Sequence, residues 1–139
     1  MRKLRLLIIL CFAICAFAQQ NIIPPQSTIF IEPNEGFETY LTAAFQKKHV
    51  PLAIVIDKSK ADFVLTSTIQ RGDKPSWSQT IFLGKTKANE DASIQIINLK
   101  TSAVAFAYSV HKYNAKNGQQ SAAEACAKHI GNFVKKGTD

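Results

Sequence analysis

The chain has 139 residues, a formal net charge of +7, 46% hydrophobic residues and three cysteines. This length is enough for one domain and not for two. The basic excess mainly affects solubility and weak attraction to anionic surfaces, and by itself it does not indicate a nucleic-acid binder.

Residues 1–18 have the three-part pattern of a cleavable secretory signal. A short basic start precedes an uncharged, apolar run, and Ala16-Phe17-Ala18 places small residues where a signal peptidase requires them. The apolar run is shorter than the roughly 20 residues of a membrane span, and an uncleaved amino-terminal anchor is the alternative. We therefore expect export and cleavage near Ala18-Gln19. The mature protein would be periplasmic or secreted, without a membrane span.

The first half of the mature chain begins with a leader and a short strand. Residues 19–27 contain two prolines and are predicted to be flexible, and residues 28–136 are predicted to form one domain. Thr28–Ile31 is predicted to be the first strand. Asn34 is suited to cap the helix that follows it. The apolar residues of that helix recur at helical spacing: Phe37, Leu41, Ala44 and Phe45.

Five further strands are predicted from the pattern of apolar and polar side chains. Leu52–Ile56 is apolar on both faces, which is typical of a strand buried within a sheet. Phe63–Ile69 has one polar, solvated face, and Trp77–Leu83 also alternates. Ser93–Leu99 and Ala103–Lys112 are predicted to form a hairpin around a short polar turn.

The second arm of the hairpin has large residues on one side and small residues on the other. We expect the small side to face a helix, because small residues let a helix approach closely. The large residues are Val104, Phe106, Tyr108 and Val110. The last segment supplies the helix, since Ser121-x-x-Glu124 matches a capping box, with Asn117-Gly118 as an earlier alternative start.

The predicted order of elements is β-α-β-β-β-β-β-α. It indicates an α/β (α+β) domain with a single mixed sheet of about five to six strands and two helices packed on one face. The first βαβ unit implies a parallel pair with a right-handed crossover. The later strands are expected to be antiparallel, and the second face of the sheet is expected to be partly solvated.

Several segments also resemble a known kind of envelope domain. They are Phe37-Glu38-x-x-Leu41-x-x-Ala44-Phe45, Ala53–Asp57, Ala61–Leu65, Ala92–Asn98 and Val104–Val110. This succession resembles the small bacterial envelope domains of the curli-secretion-channel, penicillin-binding-protein-activator and TolB amino-terminal type, over about residues 28 to 134. The resemblance implies an exported, non-catalytic accessory or binding module, and it carries over no catalytic residue.

No metal or cofactor site is indicated by the residue spacing. His49, His111 and His129 are not paired with other ligands at close spacing. Cys126 and His129 share a helix face, but two ligands do not make a zinc site. Cys126 is the only cysteine outside the signal, and we expect a small buried residue rather than a reactive thiol.

The sequence also lacks a recognisable catalytic motif. It contains no nucleophile elbow and no glycine-rich phosphate loop. Asp57 and Asp62 flank one turn, where turn and cap chemistry is their expected role. The alternative is a small hydrolase-like enzyme in which His111 assembles with Asp57 or Asp62 in three dimensions. A deep pocket holding at least two of these residues would indicate it.

The most distinct candidate for binding is the cluster of Arg71, Lys74 and Trp77, because an aromatic ring beside cations can serve recognition. The alternative role of Trp77 is a strand residue that covers the core. Loop lysines could form a basic patch for an anionic envelope polymer, and a generally solvated surface is the alternative. These lysines are Lys58, Lys60, Lys74, Lys85, Lys87, Lys112 and Lys116.

Taken together, these features predict a non-enzymatic, exported accessory or binding domain of the cell envelope. Its partner would be an envelope protein or an anionic envelope polymer and not a nucleic acid, and its ligand and oligomeric state are unknown. The two alternatives are the hydrolase-like enzyme and a self-associating structural protein that uses an exposed sheet edge.

Overall fold

A computed structural model describes residues 22–71, 90–112 and 117–137. The predicted signal, residues 1–18, and the predicted strand Trp77–Leu83 lie outside these residues. The elements are β1 (Thr28–Ile31), α1 (Phe37–Lys47), β2 (Ala53–Val55), a 3-10 turn (Lys58–Lys60), β3 (Phe63–Arg71), β4 (Glu90–Asn98), β5 (Val104–Lys112) and α2 (Gly118–Lys136). Neither helix in the described ranges has the length and hydropathy of a membrane span.

The strands form one mixed sheet in the order β2-β1-β3-β4-β5. Strand β1 runs parallel to both β2 and β3. Strands β3, β4 and β5 pair as an antiparallel meander. The predicted single mixed sheet, its parallel first pair and its antiparallel later strands are therefore confirmed.

The core lies between one face of the sheet and the two helices. Helices α1 and α2 contact each other and both contact strands, which confirms that they share one face. The core is formed by apolar residues at alternate strand positions and along one side of each helix. Its largest fully buried members include Ile29, Leu65, Ile94 and Ile96 from the sheet and Phe37, Leu41, Ile130 and Val134 from the helices.

Strand β2 lies at one edge of the described sheet, so the prediction that Leu52–Ile56 lies within the sheet is wrong. The strand has only three residues, and Ile56, just beyond it, is 97% exposed. Ile54 packs against the core, whereas Val55 lies on the opposite face and pairs with Phe30 of β1. The segment is apolar on both faces because Ile54 packs on one face of the sheet and Val55 on the other. Such packing does not require that a strand lie on each side of β2.

The large residues of β5 face helix α2, which is the reverse of the prediction. The ring of Phe106 lies 5.0 Å from that of Phe133, and the ring of Tyr108 is stacked on His129 at 4.2 Å. Burial of these rings removes far more apolar surface from water than burial of alanines would. The close approach comes instead from small buried residues of the helix: Ala122, Ala123, Cys126, Ala127 and Gly131.

A β-bulge separates Val104 from the other large residues of β5. Phe106 pairs with Ile96 and Val104 with Ile97, so Ala105 is an extra residue in β5. An extra residue shifts the alternation of side chains by one position. Val104 therefore lies on the face opposite the helices and is 45% exposed.

The prediction that Asn34 caps α1 is also wrong. The residue at the N-cap is Gly36, with φ +88°, and no side chain caps the helix. The Asn34 amide donates hydrogen bonds to the carbonyl and hydroxyl oxygens of Ser67, at 2.8 and 3.2 Å. Its backbone N–H donates to the Glu38 carboxylate at 2.9 Å. Asn34 thus links the entry of α1 to β3 instead of capping the helix.

Helix α2 begins at Gly118, so the earlier of the two predicted starts is correct and the capping box at Ser121 is wrong. Ser121 already lies inside the first turn, where its N–H donates to the Asn117 carbonyl at 3.0 Å. The Glu124 carboxylate instead accepts a hydrogen bond from Lys47 of α1 at 2.7 Å. Glu124 therefore connects the two helices.

Candidate functional site: the open face of the sheet

The face of the sheet opposite the helices, here called the open face, is not covered by any element in the described ranges. The strand register places one apolar side chain from each of the five strands in a line across it. This apolar row consists of Val55, Phe30, Val64, Ile97 and Val104. Val64, at its centre, is only 4% exposed.

A polar groove lies on the same face, nearer the carboxyl end of β3. Alternate side chains of an antiparallel pair point to the same face, so the register aligns Thr68 with Ser93 and Ser109, and Gln70 with Asp91 and His111. The groove has a volume of about 360 Å³ and is lined by Thr68, Gln70, Asp91, Ser93, Ser109, Val110 and His111.

Side-chain pairs across β4 and β5 organise the groove. The hydroxyls of Ser93 and Ser109 are hydrogen-bonded at 2.8 Å, and the imidazole Nδ1 of His111 contacts the Asp91 carboxylate. Each hydroxyl both donates and accepts hydrogen bonds, so the serine pair retains capacity for a polar ligand. The described residues include no group of three or more potential metal ligands.

Of the three residues of the predicted binding cluster, the structure describes the backbone of Arg71. It is the last residue of β3 and pairs with Glu90. Lys74 and Trp77 lie outside the described residues. The cluster of Arg71, Lys74 and Trp77 therefore stays a prediction.

The three residues of the hydrolase alternative do not meet. His111 lines the groove, whereas Asp62 precedes the first residue of β3, about 25 Å away at 3.3 Å per residue. The Asp57 carboxylate accepts hydrogen bonds from the N–H and hydroxyl of Ser59 at 3.0 and 2.7 Å. Asp62 accepts hydrogen bonds from Thr28. The predicted turn and cap role is confirmed for Asp57 and is wrong for Asp62, whose carboxylate links the start of β3 to β1.

Cys126 and His129 have separate roles on α2. Cys126 is fully buried, and burial raises the pKa of its thiol to about 12. His129 is exposed and stacks on Tyr108. The expectation of a small buried cysteine is confirmed.

The described loop lysines lie at two ends of the sheet. Lys58 pairs with Glu32 at 2.6 Å and Lys60 with Asp57 at 3.8 Å, both near the start of β3. Lys112 ends β5, next to the groove. These three lysines do not form one basic patch.

Sequence reasoning missed the groove because its residues come from three strands. Each strand shows only an ordinary alternation of polar and apolar residues. The available signal was the polar set Thr66, Thr68 and Gln70 on β3, which predicted a solvated face. The register that sets Ser93 and Ser109 beside Thr68 appears only when the strands are paired.

No protein-family model matches this sequence, and no curated protein sequence matches it. The structure is similar to PelC from Paraburkholderia phytofirmans, solved as a dodecamer, with a TM-score of 0.54 and 10% identity over 78% of this chain and 89% of that one. It is also similar to the uncharacterized lipoprotein B from Nitrosomonas europaea, with a TM-score of 0.51 and 11% identity over 86% of this chain and 91% of that one.

TolB from Acinetobacter baumannii matches with a TM-score of 0.49 and 7% identity, over 87% of this chain and 30% of TolB. This TM-score is too low to support a conclusion about a shared fold. The similarity to PelC and to lipoprotein B shows a shared fold, which confirms the fold that the sequence resemblance implied.

Proposed function

We propose that the chain is an exported, non-enzymatic domain of the cell envelope that binds another envelope component through the open face. The observation that carries this proposal is the apolar row beside the polar groove on a sheet face that no described element covers. An apolar centre with a polar margin is typical of protein interfaces. The export signal predicted in residues 1–18 supports an envelope location.

The open face favours a protein partner over an anionic polymer. The apolar row offers a surface for apolar side chains, and the groove contains a carboxylate, Asp91, which disfavours an anion. The side chain of Lys58 is 53% exposed, but its charge is already paired with Glu32, so it adds little support for an anionic polymer. We keep Arg71, Lys74 and Trp77 as a proposed extension of the binding surface, because Arg71 is the last residue of β3, at the end of the strand that carries the groove.

Capture from a solubilised envelope extract tests the proposal, with mature protein that begins at Gln19 as the bait. Gln95→Arg changes an exposed position on the open face, between the apolar row and the groove. Ala43→Arg, on the exposed side of α1, is the matched control. We expect a partner that the parent and Ala43→Arg retain and that Gln95→Arg loses.

Equal binding by all three proteins, or equal loss in both variants, would contradict a site on the open face. A catalytic turnover that His111→Ala abolishes would contradict a non-enzymatic role and favour the enzyme alternative. The variants Lys74→Glu and Trp77→Ala test the proposed extension in the same assay. Their loss of the partner would support it.

Self-association is the second candidate function. PelC shares this fold and was solved as a dodecamer. The observation that favours self-association in this chain is a long strand at one edge of the described sheet, β5.

A further inference from the structure

Asp91 supplies the carboxylate of the polar groove, and its two oxygens differ in accessibility. Oδ1 is buried and contacts Nδ1 of His111. The side chain is nevertheless 47% exposed. Because Oδ1 is buried, the accessible oxygen is Oδ2. The contact with His111 orients the carboxylate, so that Oδ2 is presented to a ligand in the groove.

The lining of the groove has a net negative charge when His111 is neutral. It contains the Asp91 carboxylate and no lysine or arginine. Side chains alternate along a strand, so Lys112, which follows His111 on β5, points to the face that carries the helices. Three lysines near the start of β3 are paired with carboxylates at that end of the sheet: Lys58, Lys60 and Lys100. None of these described lysines neutralises Asp91.

Uncharged oxygen acceptors lie beside the carboxylate. Ser93 follows Asp91 by two residues on the same face of β4, and its hydroxyl is hydrogen-bonded to that of Ser109 at 2.8 Å. A hydroxyl oxygen has two lone pairs, so the serine pair can still accept hydrogen bonds. Thr68 and Gln70, both exposed on β3, add a hydroxyl and a carboxamide oxygen. A donor that pairs with Asp91 therefore has further acceptors within the same groove.

We propose that the groove binds a cationic side chain of the partner protein, a lysine or an arginine, with Asp91 as its counter-ion. This inference rests on the proposed function, and it names the chemical group by which the open face recognises its partner. An ammonium or guanidinium group has hydrogen-bond donors and no acceptor, which suits a groove lined with oxygens. Its positive charge is complementary to the negative charge of the groove.

The geometry of the carboxylate makes charge more important than shape in this interaction. Arginine binds a carboxylate most strongly when two of its N–H groups meet both oxygens, but Oδ1 of Asp91 already contacts His111. Oδ2 can form one charge-assisted hydrogen bond with either cation. A partly exposed ion pair of this kind changes affinity by up to about fivefold. It therefore selects the partner, while the apolar row contributes the larger contact.

Small probes test the charge preference directly. Nα-acetyl-arginine methylamide is titrated into the mature protein at pH 8, where imidazoles are ordinarily neutral. Its uncharged isostere, Nα-acetyl-citrulline methylamide, is titrated in parallel, and amide chemical shifts report where each probe binds. We expect the arginine probe to shift the amides of Asp91, Ser93 and Ser109 and to bind about fivefold more tightly than citrulline. High salt should abolish the difference.

A charge-neutralising variant tests the same point in the partner assay. Asp91→Asn preserves the shape of the side chain and removes its charge. Asp57→Asn is the matched control, because the Asp57 side chain is also 47% exposed and lies near the start of β3. With both variants folded by circular dichroism, Asp91→Asn should bind the two probes equally and the envelope partner about fivefold more weakly. Asp57→Asn should behave as the parent does.

The outcomes distinguish this inference from the proposed function. Equal binding of the two probes by the parent would overturn the cation site. Capture that Gln95→Arg abolishes and Asp91→Asn leaves unchanged would also overturn it, and the open face would still be a binding site. A parent that prefers the arginine probe but captures no envelope protein would overturn the proposed function, and with it a protein as the source of the cation.

Discussion

Thr28 and Asp62 hold the starts of β1 and β3 together by reciprocal hydrogen bonds. The N–H and hydroxyl of Thr28 donate to the Asp62 carboxylate at 3.1 and 2.9 Å. The Asp62 N–H donates to the Thr28 hydroxyl oxygen at 2.9 Å. The hydrogen bonds from Thr28 lower the pKa of the Asp62 carboxyl from its ordinary 3.8, and the nearby Lys100 ammonium lowers it by a smaller amount.

Asp62 should therefore make stability depend on pH in the acid range. Because its pKa is lower in the folded state, its contribution is present above about pH 4 and is lost as the pH falls through the folded value. We expect Asp62→Asn to be less stable than the parent at pH 7 and this difference to shrink by pH 2, measured by urea unfolding. Thr28→Val should weaken the same dependence. An equal difference at both pH values would contradict this role.

His49 ends α1 in a left-handed conformation, with φ +50°. Its neighbour Val50 donates to the Phe45 carbonyl at 3.0 Å, a bond that closes the end of the helix. Glycine adopts this conformation without a steric penalty, so His49→Gly should raise the free energy of unfolding by about 1 kcal/mol. Gln46→Gly, inside the same helix, should lower it by about 1 kcal/mol. Destabilisation by His49→Gly would show that its side chain has a structural role.

Cys126 should be unreactive in the folded protein. Its side chain is fully buried, and its thiol pKa is raised to about 12, whereas thiol reagents attack the exposed thiolate. We expect no labelling at pH 8 within the time that labels Ser109→Cys, and complete labelling in denaturant. Rapid labelling of the native parent would contradict the buried position.

The contact between Phe106 and Phe133 should be detectable as a coupling energy. The rings are 5.0 Å apart and tilted by 46°, a geometry worth about 0.5 to 1.5 kcal/mol. A double-mutant cycle of Phe106→Ala and Phe133→Ala, measured by urea unfolding, should give a coupling in this range. A coupling of zero would mean that the large side of β5 does not face α2.

Removal of the predicted signal should depend on the small residue Ala18. Ala18→Asp should leave a precursor in the exporting cell, whereas Ala18→Ser should be processed normally, because serine is also small. Mass spectrometry of the processed product should place its first residue at Gln19. Processing of Ala18→Asp at the same bond would contradict this cleavage site.

Local patterns in the sequence were enough to predict most of the described elements. The apolar spacing of α1 and the alternation of β3 each depend on residues within one element. The hairpin turn was also predicted, and there the Asn98 side chain accepts hydrogen bonds from the N–H groups of Lys100 and Thr101 at 2.9 and 3.2 Å. Such short-range interactions are determined by neighbouring residues.

Features that depend on pairing between distant segments could not be predicted. The edge position of β2 follows from the insertion of β1 between β2 and β3. The reversal at β5 follows from the bulge at Ala105 and from the small residues of α2. The groove needs the joint register of three strands, and no single segment carries that information.

Photo-cross-linking from the open face tests the central claim most directly. A benzophenone side chain at Gln95, in protein exported by the cell, would capture whatever contacts the open face. The same group at Ala43 is the control on the exposed side of α1. We predict one adduct with another envelope protein from Gln95 and none from Ala43. The absence of an adduct at Gln95, or equal adducts at both positions, would contradict a binding site on the open face.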